Sequence, residues 1–259
     1  SENIGLKKIL KLSQDLNIYT DIPELLSVSL GSAETTLLNI TSAYASFANG
    51  GKKIEPSLIE RIQDRRGKTI FNSDNRECLG CDRFSKELVQ VPIIKDSYEQ
   101  VFSEETAYQM TSILEGVIKR GTGKKLRDLD VPLAGKTGTT NNNFDAWFIG
   151  FTSDLVIGVY IGFDNPKSLG RFETGSKAAL PIFKSFVKEA LYKEDFKEFS
   201  IPSGIYFKPI NYNSGEQEDF NNKKAIIEAF KLKDINRTDN NNLDITNNYD
   251  KLIKFRQFY

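Results

Sequence analysis

The chain has 259 residues and a mass of 29.3 kDa, which is enough for one or two domains with a sizeable core. Hydrophobic residues make up 39% and charged residues 27%, which is typical of a folded protein rather than a disordered one. Thirty-five basic and thirty-five acidic residues give a net charge of zero. We therefore expect no general electrostatic attraction to nucleic acid or to an anionic membrane.

The absence of histidine is the most restrictive feature of the composition. Imidazole is the usual general base near neutral pH and the commonest metal ligand. Its absence excludes Ser-His-Asp and Cys-His catalysis within this chain, and it excludes zinc bound by histidine. Carboxylate chemistry, a metal bound by oxygen ligands, or a nucleophile activated by lysine remains.

Two cysteines, Cys78 and Cys81, lie three positions apart in a polar stretch. Two thiolates do not complete a four-ligand zinc site, and no strand-helix pattern of a thioredoxin-like motif surrounds them. A local disulfide and a pair of free thiols both remain open. No apolar run approaches the roughly 20 residues of a membrane span. Because the N-terminus resembles neither a signal peptide nor a Met start, we expect a soluble part of a longer protein or a targeting segment further upstream.

The first part of the chain alternates helix patterns with a hairpin. Apolar spacing predicts an amphipathic helix over 4–18 and a second helix over 30–51, which ends at an Asn-Gly-Gly stop. Two short apolar runs, 58–62 and 68–71, flank a turn that contains glycine and predict a β-hairpin. The polar stretch 73–98 contains both cysteines and reads as an insertion or long loop.

The second part contains the predicted sheet. A helix begins at Ser103, where two acidic residues favour a helix start, and its apolar side continues to Lys119. The best strand candidates are 131–139, 144–152 and 155–163, and the last two are predicted to form a hairpin.

A final helix is predicted over 176–192, and beyond residue 200 the chain becomes polar. We expect residues 1–200 to form an α+β domain, with helices packed on a mainly antiparallel sheet. Residues 201–259 are expected to be a loosely ordered tail, since 236–250 alone holds six asparagines.

The predicted strand 131–139 carries the motif with chemical meaning, Lys136-Thr137-Gly138-Thr139. A regular pleat places Lys136 and Gly138 on one face and the two threonines on the other. An ammonium group and two hydroxyls can hold a carboxylate, and the glycine lets an extended ligand approach the backbone. So short a string also fits an exposed strand with a bulge.

The surroundings of this motif resemble the third signature region of penicillin-binding proteins, in which a K-T-G element is known. The resemblance is carried by Arg120-Gly121-Thr122-Gly123 and by the longer string from Ala134 to Phe151. Leu30-Gly31-Ser32 and the helix after it resemble class A members of the 1A type. The resemblance runs from about residue 4 to 210 and implies the penicillin-binding and serine β-lactamase fold, incomplete at the N-terminus.

The resemblance implies a D,D-transpeptidase that cross-links peptidoglycan stem peptides after a serine attacks their D-Ala-D-Ala ends. Lys136, Thr137, Gly138 and Thr139 are then expected to bind the terminal carboxylate of the substrate or of a β-lactam. The backbone N–H of Thr139 is expected to be an oxyanion-hole donor. The charge of Lys136 favours deprotonation of neighbouring groups.

The family's nucleophile, a serine three residues before a lysine, is expected to be missing from this chain. The only such pair, Ser185 and Lys188, follows the K-T-G motif inside the final helix and is interpreted as a coincidence. Of two matches to the family's middle motif S-x-N, Ser73-Asp74-Asn75 is interpreted as a surface turn. Ser1-Glu2-Asn3 lies close to where the true motif is expected, a few residues upstream of Ser1. We therefore expect the C-terminal part of a transpeptidase domain, inactive alone.

No cofactor and no metal are expected. The expected partners are stem peptides, β-lactams and the upstream half of the same protein, with no nucleic acid and with the membrane reached only through a missing N-terminal anchor. The expected location is the periplasmic side of the bacterial cytoplasmic membrane. A D,D-carboxypeptidase or β-lactam sensor, a non-catalytic remnant or interaction module, and an unrelated domain with a chance K-T-G remain as alternatives.

Overall fold

The structure is a computed structural model that describes residues 4–20, 22–74, 76–79, 92–191, 196–220, 222 and 225–234. The helices are α1 (Leu6–Asp15), α2 (Leu37–Ala48), α3 (Glu104–Lys119) and α4 (Ala179–Ala190). The strands are β1 (Arg61–Gln63), β2 (Thr69–Asn72), β3 (Cys78–Leu79), β4 (Ile93–Ile94), β5 (Ala134–Thr139), β6 (Ala146–Phe151), β7 (Val156–Ile161), β8 (Ile205–Asn211) and β9 (Ala225–Lys231). Short 3₁₀ helices lie at Leu26–Leu30, Lys124–Leu129, Asn141–Asn143 and Leu232–Asp234.

An antiparallel sheet with the order β5-β6-β7 occupies the centre. One face packs against α2 and α3, where Phe151 joins Tyr108 and Leu114 in a buried cluster. The other face packs against α4, where the rings of Phe148 and Phe183 are 4.8 Å apart. The predicted α+β arrangement, a mainly antiparallel sheet flanked by helices, is confirmed.

Glycine permits the close contact between α4 and the sheet. A Cβ added at Gly150 on β6 would lie 2.6 Å from two ring carbons of Phe183. Because real Cβ atoms do not approach carbon atoms this closely, only glycine lets the ring of Phe183 approach the strand this closely.

The second predicted helix begins seven residues later than the sequence pattern suggested. Gly31 adopts the left-handed conformation at φ 85°, which ends the short 3₁₀ helix before it. Thr36 then caps α2, and its side-chain hydroxyl accepts a hydrogen bond from the N–H of Asn39 at 3.1 Å. The apolar spacing was correct, but the N-cap and not the periodicity determines where the helix starts.

The predicted hairpin is present as β1 and β2. The carboxylate of Asp64 accepts hydrogen bonds from the N–H groups of Arg66 and Lys68, and Gly67 has a φ of 80° in the turn. In the insertion that follows, Cys78 on β3 pairs with Ile94 on β4 and takes part in a disulfide. Cys81 lies outside the described residues, so the predicted pairing of these two cysteines stays a prediction.

The expectation of a loosely ordered tail from residue 201 is wrong for β8 and β9. These strands form an antiparallel hairpin in continuous register, from Ile205 opposite Lys231 to Asn211 opposite Ala225. Phe207 lies in the same buried cluster as Phe151 of the central sheet. Averaged over the 59 residues from 201 to 259, the composition is polar because of the asparagines after residue 235, and this average obscures the two apolar strands. Those asparagines lie outside the described residues.

We predict that the buried ring of Phe183 contributes far more to stability than the ring of Phe186 on the same helix. Phe183 is fully buried and Phe186 is 47% exposed. Phe183→Ala should lower the free energy of unfolding by about 3–5 kcal/mol through lost burial and a residual cavity. The matched control Phe186→Ala should cost less than about 1 kcal/mol. Urea denaturation of the two variants measures the difference, and equal losses would contradict the packing described here.

Candidate functional site

Strand β5 has one open edge. Within the described part of the chain it pairs only with β6, in an unbroken antiparallel register that places Gly138 opposite Trp147 and Thr139 opposite Ala146. The N–H of Thr140 donates to the carbonyl of Asp145 at 3.2 Å. Because hydrogen-bonded pairs alternate along an antiparallel ladder, the backbone groups of Thr139 point to the open edge.

The two faces of β5 carry different chemistry, as the sequence predicted. The regular register puts Lys136 and Gly138 on the face of α2, and Thr137 and Thr139 on the face of α4. Lys136 is exposed and its Nζ donates to the backbone carbonyl of Thr137 at 2.7 Å. The positive charge therefore lies along the open edge, beside the outward-pointing backbone of the strand.

Thr139 is held by a segment that the sequence analysis did not single out. The buried N–H of Gly175 donates to Oγ1 of Thr139 at 3.0 Å. A Cβ added at Gly175 would lie 2.5 Å from the carbonyl oxygen of Gly138, so only glycine can lie this close to the strand. Because the Thr139 oxygen already accepts this bond, its hydroxyl proton is left for a ligand.

Thr137 is also paired through its side chain. Its hydroxyl lies 2.9 Å from the hydroxyl of Thr122, and either can be the donor. Thr122 belongs to the Arg120-Gly121-Thr122-Gly123 string that contributed to the family resemblance, but its contact with Thr137 was not predicted. The structure thus brings Thr122, from a separate loop, into contact with the strand that carries all four residues of the K-T-G motif.

The turn after β5 closes through polar contacts. The N–H of Asp145 donates to Oγ1 of Thr140 at 2.8 Å, and the hydroxyl of Tyr160 donates to Asp145 at 3.0 Å. Desolvation, followed by the hydrogen bond and charge of Asp145, raises the pKa of Tyr160 above its ordinary value. Trp147, predicted to be core packing, is half-buried and lies 4.5 Å from the ring of Tyr160, on the face that carries Lys136.

The described residues of the two chance motif matches, Ser185-x-x-Lys188 and Ser73-Asp74-Asn75, make ordinary local contacts. Oγ of Ser185 donates to the carboxylate of Glu189 at 2.7 Å on the exposed side of α4. Asp74 is exposed and accepts two hydrogen bonds from the Arg76 side chain, at 2.6 and 2.8 Å. Asn75 and residues 1–3 lie outside the described residues. Ser185 is therefore hydrogen-bonded to a carboxylate, whereas the family's nucleophilic serine needs a lysine amine that can accept its proton.

Two further properties apply to the part of the chain that the structure describes. It contains no group of three or more Cys, Asp or Glu side chains placed to hold a metal ion. None of its helices has the length and apolar composition that crossing a bilayer requires.

The family model described as Penicillin binding protein transpeptidase domain matches residues 17–188. The chain belongs to this family. The matched region includes β5 with its whole K-T-G motif and the Thr122 loop, so the resemblance inferred from these residues is confirmed.

Relatives and solved structures agree with this assignment. Penicillin-binding protein 1A of Rickettsia prowazekii is 42% identical over 241 residues, which cover 92% of the chain and 30% of the relative. Penicillin-binding protein 1A of Pseudomonas aeruginosa is 33% identical and covers 90% of the chain and 32% of the relative. The crystal structure of Penicillin-Binding Protein 1A from Haemophilus influenzae has a TM-score of 0.70 and 29% identity, over 88% of the chain and 36% of that structure.

The chain thus spans about a third of the length of the curated relatives it matches. A more distant structure, PonA1 of Mycobacterium tuberculosis, has a TM-score of 0.59 at 21% identity and supports the fold alone. Similarity to these proteins establishes the family and the fold, and the roles of individual residues in this chain rest on the geometry of β5.

We predict that Asp74 titrates as the partner of Arg76. Hydrogen bonds from the Arg76 side chain and backbone lower the pKa of Asp74 from 3.8 to about 2. The contribution of this pair to stability is therefore complete above pH 3.8 and is lost as the pH falls through about 2. A carbon-detected NMR titration of the Asp74 carboxyl measures this, and Arg76→Gln should return the midpoint to the ordinary value. A midpoint that Arg76→Gln does not move would contradict the ion pair.

Proposed function

We propose that this chain supplies the carboxylate-binding wall of a peptidoglycan D,D-transpeptidase active site. Lys136, Thr137 and Thr139 bind the terminal carboxylate of a D-Ala-D-Ala stem peptide, and Gly138 lets the peptide lie close to the strand. β-Lactams, which carry a carboxylate of their own, occupy the same place. Family membership and the geometry of β5 support the proposal.

One observation carries the proposal: the backbone N–H of Thr139 points to the open edge of β5, beside the ammonium group of Lys136 and two threonine hydroxyls. An N–H fixed in a sheet is a preorganised donor for the negative charge that develops on a carbonyl oxygen during acyl transfer. The neighbouring cation and hydroxyls suit a carboxylate at the end of the same substrate. An extended peptide that pairs with the open edge brings its carbonyl oxygen to the Thr139 N–H and its terminal carboxylate to the neighbouring cation and hydroxyls.

The reaction also needs a nucleophile that the described residues do not supply. In the proposed reaction, a serine oxygen bonds to the carbonyl carbon of the penultimate D-Ala, the peptide C–N bond breaks, and terminal D-Ala leaves with the serine proton. An amine of another stem peptide then bonds to the acyl carbon, the C–O bond to serine breaks, and the amine proton returns to the serine oxygen as the new amide forms. We assign the serine, its lysine and the S-x-N motif to an upstream part of the same protein, anchored at the periplasmic side of the cytoplasmic membrane.

A second candidate is a non-catalytic remnant or interaction module of the same fold. The hydrogen bond from Ser185 to Glu189 is as consistent with this candidate as with the first, because the one S-x-x-K serine of the chain has no basic partner in that contact. The nucleotide sequence upstream of Ser1 separates the two candidates. An open frame that encodes S-x-x-K and then S-x-N supports the transpeptidase, and a stop codon between these motifs and Ser1 supports the remnant.

We predict that Lys136→Ala weakens binding of N-acetyl-D-Ala-D-Ala at least about tenfold, because a cation that pairs with a carboxylate is lost. Isothermal titration calorimetry of the chain measures the dissociation constants. The matched control is Lys188→Ala, which removes an exposed lysine from α4 and should leave binding unchanged. Equal affinities for all three proteins would contradict the proposed carboxylate site.

We predict that the chain forms no covalent adduct with benzylpenicillin, and that Ser185→Ala makes no difference. The hydroxyl of Ser185 donates a hydrogen bond to the Glu189 carboxylate, and no lysine amine takes part in that contact. Intact-mass spectrometry after incubation with the antibiotic detects an acyl-enzyme directly. An adduct on the chain that disappears in Ser185→Ala would make Ser185 the nucleophile and overturn the assignment.

A further inference from the structure

Thr122 lies on a loop that is fixed to the end of α3. The N–H of Gly121 donates to the carbonyl of Gly116 at 3.1 Å, and the N–H of Gly123 donates to the carbonyl of Val117 at 3.0 Å. A Cβ at Gly121 would lie 3.0 Å from Val117 Cα, and one at Gly123 would lie 2.7 Å from the side chain of Ile118. The two glycines thus let the loop fold tightly onto the helix, with the exposed Thr122 side chain between them.

The loop brings one more hydroxyl to the open edge of the sheet. Thr122 and Thr137 are 15 positions apart in sequence, and their hydroxyl oxygens are 2.9 Å apart. Two hydroxyls in contact hold two protons, of which one is used between them and one remains to donate outward. A carboxylate is an acceptor only, so this remaining proton matches it, whereas a neutral amide group presents donors as well.

We propose that Thr122 is a specificity-determining residue of the site, acting with Thr137 as one hydroxyl pair that selects a ligand with a free carboxylate. This inference rests on the proposed function, because it places the carboxylate at the open edge of β5, beside the threonine hydroxyls. The same pair orients Thr137. Whichever hydroxyl donates to the other, the accepting hydroxyl keeps its own proton available for a ligand. Thr139 is arranged equivalently by Gly175, whose N–H occupies the acceptor side of the hydroxyl.

The test uses three threonine variants of the chain. Thr122→Val removes the hydroxyl and keeps the shape, and Thr122→Ser keeps the hydroxyl. Thr69→Val is the matched control, since Thr69 is an exposed threonine on the separate β1-β2 hairpin. Calorimetry gives dissociation constants for N-acetyl-D-Ala-D-Ala and for its C-terminal amide, and the selectivity is the ratio of the two.

We expect Thr122→Val to weaken binding of the carboxylate ligand about fivefold, the effect of one net hydrogen bond, and to leave the amide ligand nearly unaffected. Thr122→Ser should restore the selectivity and Thr69→Val should not change it. The unfolding midpoints of all variants should match, because Thr122 is exposed.

The outcomes separate this inference from the proposed function. If Lys136→Ala weakens binding but Thr122→Val leaves the selectivity unchanged, the role of Thr122 is overturned and the carboxylate site stands. If Thr122→Val weakens the binding of both ligands by the same factor, Thr122 only shapes the site and the inference is likewise overturned. If the chain binds neither ligand, or binds without dependence on Lys136, both the inference and the proposed function fail for this chain.

Discussion

The pairing of β5 with β6 is the constraint on which the rest of the site depends. Its register decides which face each side chain of the Lys136–Thr139 segment occupies, and its alternation turns the backbone of Thr139 toward the open edge. A shift of one residue would exchange the cationic and hydroxyl faces and would point the Thr139 N–H into the sheet. Gly135 of β5 fits this register, because a Cβ added there would lie 2.8 Å from the carbonyl oxygen of Ile149 and 3.0 Å from the ring of Phe148.

Around this strand, glycines bring separate segments close enough to complete the site. Gly175 lies against the backbone of Gly138, and Gly121 lies against the last turn of α3. Each contact positions a hydrogen bond with a threonine of the motif: the N–H of Gly175 donates to Thr139, and the hydroxyls of Thr122 and Thr137 share a bond in which either can donate. The hydroxyls are therefore oriented by elements that pack on the hydrophobic core, which keeps the site preorganised before a ligand binds.

The sequence alone could predict the elements that have a strong period and the motif that lies on one of them. The central strands, the hairpin at residues 58–71 and the helix after Ser103 follow directly from apolar spacing and capping residues. The β8-β9 hairpin was missed because its apolar residues were averaged with the polar stretch after it. The contact of Thr122 with Thr137 and that of Gly175 with Thr139 could not be predicted, because they join segments 15 and 36 positions apart through tertiary packing.

In the proposed reaction, this chain recognises the carboxylate and supplies an oxyanion donor, and an upstream segment supplies the nucleophile. The most direct test is a residue-resolved map of amide chemical shifts in the chain during titration with N-acetyl-D-Ala-D-Ala. We expect the largest changes at Lys136 to Thr139, with smaller ones at Thr122 and Gly175. A roughly 420 Å³ cavity lined by Asn49, Tyr108 and Phe199 lies at the other end of the sheet, beside the β6-β7 turn. Changes concentrated there, or no change along β5, would contradict a carboxylate site on β5.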